Sequence, residues 1–226
     1  MKYYIIAGEA SGDLHGSNLI KELRKLDAEA NIRCWGGDKM EAAGSTLVKH
    51  YRELAFMGFT EVLMNLRTIF RNLKFCKEDI LVNKPDVLIL IDYPGFNLRI
   101  AKWAKEQGLK IIYYISPQVW AWKENRVKMM KQCIDKMLVI LPFEKDYFEN
   151  KWNWEVEYVG HPLIQVIAEH KSNHTNQSLS DKPVVALLPG SRKQEILKKL
   201  PFNNFIIAGS DSFYQRRTKT LVFHFI

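Results

Sequence analysis

Val87-Leu88-Ile89-Leu90-Ile91 is an unbroken run of five large aliphatic residues. A strand with one face in water alternates apolar and polar side chains, so a run apolar at every position requires cover on both faces. That requirement restricts the chain to folds in which helices flank a sheet on both sides. Tyr3-Tyr4-Ile5-Ile6-Ala7, Lys110-Ile111-Ile112-Tyr113-Tyr114-Ile115 and Met137-Leu138-Val139-Ile140 repeat the pattern. Segments of helical period separate them, from about His15 to Leu26, from Phe96 to Glu106, and again before Met137. Strands and helices in alternation predict an α/β fold with a mostly parallel, doubly wound sheet.

The chain has 226 residues, more than one domain of roughly 150 residues needs. Glu169 to Lys182 is polar, without apolar periodicity, and reads as a linker. This gives a first domain over 1–168, a linker over 169–182 and a second segment over 183–226. In that segment Val184 to Leu188 reads as a strand, Pro189-Gly190-Ser191 as a turn, and a basic helix begins near Arg192. Pro201 then interrupts, Phe205 to Gly209 reads as another strand, and the stretch from Phe213 to Ile226 shows neither helical period nor turn chemistry. So short a segment cannot close a second α/β domain, which is therefore expected to be incomplete.

The formal charge of +8 favours anionic partners without choosing among them. Cys34, Cys76 and Cys133 are odd in number and lack CxxC spacing, so a zinc site or disulfide framework is not expected and a reducing compartment is. The apolar run at the N-terminus is too short for a secretory leader, and no stretch is long enough to span a bilayer. These features predict a soluble, cytosolic protein. The basic residues are scattered without a recognisable motif, which argues against nucleic acid.

Three strand ends carry chemistry. Gly8-Glu9-Ala10-Ser11-Gly12-Asp13-Leu14-His15-Gly16 follows the first strand with spacing G-x3-G-x3-G, neither the dinucleotide fingerprint nor a P-loop. It reads as a ligand-facing turn or as a plain tight turn with Asp13 capping the helix. Asp92-Tyr93-Pro94-Gly95-Phe96-Asn97 follows the strongest strand, where ligands bind in open α/β sheets. Asp92 there is either a general base or the cap of the helix after Pro94. Ser116-Pro117-Gln118-Val119-Trp120-Ala121-Trp122 offers indoles and an amide to a sugar, or aromatic packing to the core. Arg126, Lys128 and Lys131 beyond it read as a solvated helix face.

Further along, Phe59, Val62, Leu63, Leu66, Ile69, Phe70 and Leu73 keep helical spacing opposite Arg67, Arg71 and Lys74. Such a helix faces either a core or a membrane surface. His161 in Gly160-His161-Pro162 reads as a turn residue with no carboxylate placed to orient it. Leu188-Pro189-Gly190-Ser191-Arg192 joins a strand, a glycine turn and a helix start to a bidentate donor, which suits a diphosphate.

Seven of these segments, AGEASGDLHG, ELAFMGFTEVL, KPDVLILIDYPGFNL, YYISPQVWAWKENRV, ILPFEKDYF, VGHPL and LLPGSR, occur in the order found in lipid-A-disaccharide synthases. The chain resembles that family of inverting GT-B glycosyltransferases from near residue 3 to about residue 200. The resemblance implies a Rossmann-like N-terminal domain that joins UDP-2,3-diacylglucosamine to 2,3-diacylglucosamine 1-phosphate and releases UDP, in lipid A biosynthesis. It implies no metal and no cofactor. Asp92 matches the general base that would take the proton of the acceptor 6-hydroxyl, Glu9 an acidic position important for activity, and Arg192 a contact to the UDP diphosphate. Ser11, Gly12, Asn97, Ser116, Gln118, Trp120 and Ser191 are the candidate substrate contacts in the matching segments. It also favours the membrane reading of Phe59, Val62, Leu63, Leu66 and Phe70, with the protein peripheral on the cytoplasmic face of the inner membrane. Self-association is left open.

The sequence departs from the family at Gln165, where a carboxylate is usual, and after Ser210, where family character is lost. The donor-binding segments of the second domain are missing, so the chain alone is expected to be inactive or nearly so. Two alternatives stand beside this reading: a non-catalytic remnant that binds membrane or acylated sugar, and a different UDP-sugar GT-B transferase.

Overall fold

A computed structural model describes residues 1–54 and 66–173, with three further strands at 184–187, 215–216 and 221–224. It resolves into two units, Met1–Ile164 and Gln165–Ile226.

In the first unit the apolar runs form strands. These are β1 (Lys2–Ala7), β2 (Asn31–Gly36), β3 (Thr46–His50), β4 (Val87–Ile91), β5 (Ile111–Tyr114), β6 (Lys136–Val139) and β7 (Glu157–Tyr158). They make one sheet in the order β3-β2-β1-β4-β5-β6-β7, every pair parallel. The helices between them are α1 (Ala10–Leu26), α2 (Asp38–Ala42), α3 (Leu66–Asn83), α4 (Pro94–Glu106), α5 (Arg126–Cys133) and α6 (Pro142–Asp146), the last running into a π turn, Tyr147–Lys151. Alternate residues of the central strands enter different cores. Tyr4, Ile6, Leu88 and Leu90 join one with Leu73, Ile80, Ala101 and Met130. Ile5, Ala7, Ile89 and Ile91 join the other with Ile20 and Met40. Both faces of β1 and β4 are thus dry, as their composition requires.

The order in which successive strands are added reverses between β1 and β4: β2 and β3 extend the sheet one way and β4 to β7 the other. In open α/β sheets ligands bind in the crevice at the carboxyl ends of such a strand pair. Ala7 lies beside Ile91, so Gly8-Glu9 and Asp92-Tyr93 leave the sheet next to each other.

The glycines after β1 play a different part from the one expected. Helix α1 begins at Ala10, five residues before His15, and Gly12 and Gly16 lie within it, one turn apart on its buried face. A Cβ at Gly12 would stand 3.0 Å from the Ala7 Cβ, and one at Gly16 only 2.6 Å from the Met40 sulfur. Gly36 meets the same sulfur at 2.4 Å. The spacing therefore serves close packing of α1 on β1 and of Met40 between α1 and β2. Nor does Asp13 cap its own helix. Its buried carboxylate accepts the N–H groups of Gly37 (2.8 Å), Met40 (3.0 Å) and Lys39 (3.2 Å), closing the N-terminus of α2 instead.

On the opposite face of the sheet Arg33 grips Asp79 of α3 with two bonds, at 2.8 and 2.7 Å. Tyr4 donates to the same carboxylate at 2.7 Å, and the Trp35 indole donates to the Tyr4 hydroxyl at 2.9 Å. Burial alone would raise the Asp79 carboxyl, but the Arg33 and Tyr4 donors outweigh it and hold the group below its ordinary value. The described part of α3 divides the apolar stripe of the sequence. Ile69 and Leu73 pack on the core, whereas Phe70 is 64% exposed beside exposed Arg67, Arg71 and Lys74. Phe59, Val62 and Leu63 lie outside the described residues, as does the Leu66 side chain.

In the second part of the chain, helix α7 (Leu163–Asn173) takes up Glu169 to Asn173, which the sequence reading assigns to the linker. Gln165 donates to Glu169 one turn on, at 2.9 Å, and local bonds of this kind support a helix whose residues are nearly all exposed. Strands β8 (Val184–Leu187), β9 (Gln215–Arg216) and β10 (Leu221–His224) form an antiparallel sheet in the order β8-β10-β9. Residues 221–224, expected to lack regular structure, therefore form a strand; Leu221-Val222-Phe223 has the β-branched and aromatic composition for it. Residues 188–214, with Ser191, Arg192, Pro201 and the strand expected at Phe205 to Gly209, lie outside the described residues.

Replacing Asp13 by Ala strands three donors at the start of α2 in a buried site. The expected loss is about 2–4 kcal/mol, read as a lowered urea midpoint at unchanged m-value.

Candidate active site

The chain leaves β4 through two consecutive left-handed residues, Asp92 (φ +44°) and Tyr93 (φ +48°), neither a glycine. Each such residue costs on the order of 1 kcal/mol and persists only where its surroundings hold it. Here the Asp92 N–H donates to the Tyr114 carbonyl at 3.1 Å. The Asp92 carbonyl accepts from the Tyr113 hydroxyl (2.6 Å) and the Asn97 amide (2.8 Å). Tyr93 starts α4, its carbonyl taking the N–H groups of Phe96 and Asn97 at 3.2 and 3.0 Å. Pro94 follows with its φ preset for a first turn. The N-cap residue is Tyr93, and no side chain caps it. Asp92 is therefore not the helix cap, and its carboxylate remains available to the crevice.

The Tyr93 ring folds back over β1. A Cβ at Gly8 would stand 2.2 Å from it, so at this point the glycine is needed for room. The Tyr93 hydroxyl donates to the Leu54 carbonyl at 3.2 Å, fixing the ring. Glu9, the N-cap residue of α1, lies near enough for its charge to act on both Asp92 and Tyr93. Burial, reinforced by the Glu9 charge and opposed by the Tyr93 N–H, pushes the Asp92 carboxyl up to about 6. Burial and Glu9 likewise raise the Tyr93 hydroxyl. An acid poised near 6 holds a proton weakly at neutral pH yet is far more basic than an exposed aspartate, which suits a group that must accept one.

The next strand end carries a further left-handed residue, Ile115 (φ +68°), and then the tryptophan loop. Ser116 is buried and its hydroxyl donates to the Pro117 carbonyl at 3.0 Å, while the Gln118 side chain is exposed. Trp120 and Trp122 face outward. The Trp120 indole N–H points at Glu144 across 3.4 Å, and its ring meets Phe143 edge-on at 5.0 Å. Trp122 is 60% exposed, with the Lys123 ammonium 4.3 Å and the Arg126 guanidinium 6.0 Å from its ring centre.

Glu144 is the residue that sequence reasoning missed. Its carboxylate is buried and accepts the N–H groups of Leu141 (2.9 Å) and Ile140 (3.2 Å). Burial raises it against the pull of those donors, of Trp120 and of the His161 charge. No hydrogen bond joins Glu144 to His161 among the described residues, and His161 accepts the Leu163 N–H on Nδ1 at 3.2 Å, as a turn residue does. Burial and His161 together lower the His15 imidazole. The available signal was the position of Glu144, third in a helix that opens with proline, where a glutamate commonly reaches back to the backbone.

Of the expected contacts, Asp92 and Glu9 come together at the crevice, Ser11 is exposed in the first turn of α1, and Gln118 and Trp120 lie on the loop after the neighbouring strand β5. Gly12 and Asn97 do not present themselves to a ligand. Gly12 is packed against Ala7, and Asn97 is fully buried with its amide spent on backbone carbonyls. Among the described residues no group of His, Cys, Asp and Glu is arranged to hold a metal, and no helix is long and apolar enough to cross a membrane.

A family model described as lipid-A-disaccharide synthetase matches residues 3–222, a span that runs past Ser210. Lipid-A-disaccharide synthase 1 of Legionella pneumophila (strain Lens) is 46% identical over 202 residues, covering 87% of this chain and 52% of the relative. Lipid-A-disaccharide synthase of Geobacter metallireducens is 45% identical over 203 residues, with the same shares covered. The chain spans about half the length of the curated relatives it matches. Among solved structures, UDP-GlcNAc 2-epimerase from Neisseria meningitidis bound to UDP-GlcNAc superposes with a TM-score of 0.55 at 12% identity, over 77% of this chain and 50% of that one. A putative UDP-N-acetylglucosamine 2-epimerase from Listeria monocytogenes gives 0.56 at 12% identity, over 80% and 49%. Those two share the fold of the doubly wound sheet; the sequence matches go further, and by them the chain belongs to the lipid-A-disaccharide synthetase family.

Proposed function

We propose that this chain carries the acceptor side of hexosyl transfer from UDP-2,3-diacylglucosamine to 2,3-diacylglucosamine 1-phosphate, the step that releases UDP in lipid A biosynthesis. The observation that carries the reading is the poised Asp92 at the switch point of the sheet, in a chain of this family. Asp92 takes the proton of the acceptor 6-hydroxyl as its oxygen attacks the anomeric carbon of the donor. The bond to UDP breaks as the new glycosidic bond forms, with inversion. Burial and, after it, the Glu9 charge keep the Asp92 carboxyl basic, and Ser11, Gln118 and Trp120 line the acceptor. Residues 1–168 make up the acceptor side and 183–226 the start of the donor side, joined through the end of α7 and the polar residues that follow it. Ser191 and Arg192 in the latter neutralise the diphosphate of the departing UDP.

Both substrates carry acyl chains, so the acceptor is reached at a membrane surface. Exposed Phe70 among Arg67, Arg71 and Lys74 supports a peripheral contact by α3 and the segment before it, Phe59, Val62, Leu63 and Leu66 included. The chain then works on the cytoplasmic face of the inner membrane.

Two measurements bear on Asp92. Given both acylated sugars in detergent, whatever product the chain forms, followed by mass spectrometry, is expected to disappear in Asp92→Ala while acceptor binding persists. Turnover surviving that substitution sinks the base assignment, binding without turnover in every form limits the chain to the acceptor step, and no binding at all removes the proposal. Because only the ionised carboxylate accepts a proton, any rate should rise with pH through a midpoint near 6 and level off above it.

The second measurement is stability. The folded value of about 6 lies above the ordinary 3.8, so ionising Asp92 in the fold is unfavourable and stability falls as pH rises between those values. Asp92→Asn is expected to stabilise the protein by about 2–3 kcal/mol at pH 8, with the gain fading through pH 6 and absent near pH 4.

A further inference from the structure

We propose that Tyr113 and Asn97 are the positioning residues of this site: from inside the core they grip the Asp92 carbonyl and so fix the direction in which the Asp92 carboxylate faces. The proposal rests on the reading of Asp92 as base and concerns two groups that cannot themselves touch substrate, since both are fully buried.

A peptide group is planar, so holding a carbonyl oxygen fixes the torsion before it and the torsion after it. At Asp92 that oxygen is held twice, by the Tyr113 hydroxyl at 2.6 Å and by Asn97 Nδ2 at 2.8 Å. The N–H of the same residue is pinned to the Tyr114 carbonyl at 3.1 Å. With both flanking peptides held, the Cα–Cβ direction of Asp92 has no freedom left. The result is the left-handed pair at 92 and 93, which turns the side chain from the course a continuing strand would give it. The Asn97 amide also lies 3.2 Å from the Ile91 carbonyl and 3.4 Å from that of Ile6, so it braces β4 against β1 where the crevice opens. Three carbonyls around one nitrogen leave no doubt which end of the amide faces them. Tyr113 comes from β5, on the other side of β4, so the grip joins three adjacent strands.

Once the grip is released, Asp92 and Tyr93 can return to ordinary torsions, carrying the carboxylate toward water and away from Glu9. The groups acting on the carboxylate are Glu9 from the start of α1 and the Tyr93 N–H. Asp92 acts in turn on the Tyr113 hydroxyl, which Arg126 also feels.

The test is a carbon-13 carboxyl NMR titration of the full chain, with the Asp92 signal assigned through Asp92→Asn. Tyr113→Phe removes one oxygen without opening a cavity, Asn97→Leu removes the amide at similar volume, and Tyr114→Phe serves as control. In Tyr113→Phe and Asn97→Leu the Asp92 midpoint is expected to fall by about one pH unit, amide signals remote from the ends of β1, β4 and β5 staying in place. The control leaves the midpoint unmoved. A midpoint near 6 that stays there in both variants overturns the positioning role alone. A wild-type midpoint near 4 overturns the base reading and the proposal with it. If one variant does not fold, the other decides. If neither folds, the wild-type Tyr113 hydroxyl proton decides: slow exchange with water supports the grip, and fast exchange overturns it.

Discussion

The lateral pairing of β1 with β4 is the contact on which the rest of the first unit depends. It sets Ala7 beside Ile91, and it can do so only because both strands are apolar on both faces, with Tyr4, Ile6, Leu88 and Leu90 in one core and Ile5, Ala7, Ile89 and Ile91 in the other. A one-residue slip would exchange the two sets and put the large Tyr4 ring where Met40 and Ile20 now pack. With the register locked from both sides, the residues just past each strand end have no choice of neighbour. Two acidic side chains, Glu9 and Asp92, are brought together by apolar packing several residues away. No attraction between them is involved.

That placement has an energetic cost borne by the fold. Two like charges share a partly buried crevice, and two successive left-handed residues follow a rigid strand. Both are unfavourable locally, and each is offset by something more extended: the sheet fixes the separation, and bonds to Tyr113, Tyr114 and Asn97 fix the torsions. The crevice is in this sense a consequence of a well-packed interior. Loosening the core beneath it would alter acidity at the surface before it altered the overall architecture.

How much of this was readable in the residues follows from what each feature depends on. The strands were legible because dryness on both faces leaves an unbroken apolar run, a property of five adjacent residues. Asp92 was legible as a candidate because a strand end can be located from the same run, and Glu9 only through the resemblance of its segment to the family. The start of α1 was not: Gly12 and Gly16 look like turn residues until Ala7 is known to lie against the first and the sulfur of Met40, two dozen positions later, against the second. Asp13 misled for the same reason, its partners Gly37, Lys39 and Met40 belonging to another helix. Asn97 looked like a ligand contact because it follows the strand end, whereas one helical turn carries its side chain under the backbone. Glu144 went unnoticed because its meaning comes from Trp120 and His161, both distant along the chain. In the apolar stripe before Lys74, adjacent residues differ by about 100° around the helix axis, enough to send Ile69 inward and Phe70 outward. Periodicity alone had grouped them on one face.

The closeness of Gly8 to the Tyr93 ring has a consequence for how such a sequence can drift. With 2.2 Å between a would-be Cβ and the ring, neither position is independent of the other. Any side chain at 8 first requires a smaller residue at 93, and a smaller residue at 93 leaves a hollow that a side chain at 8 could fill. The two sites, 85 positions apart in the chain, should therefore change jointly or hardly at all among related sequences, and a lone exchange at either would mark a descendant whose crevice has been rebuilt.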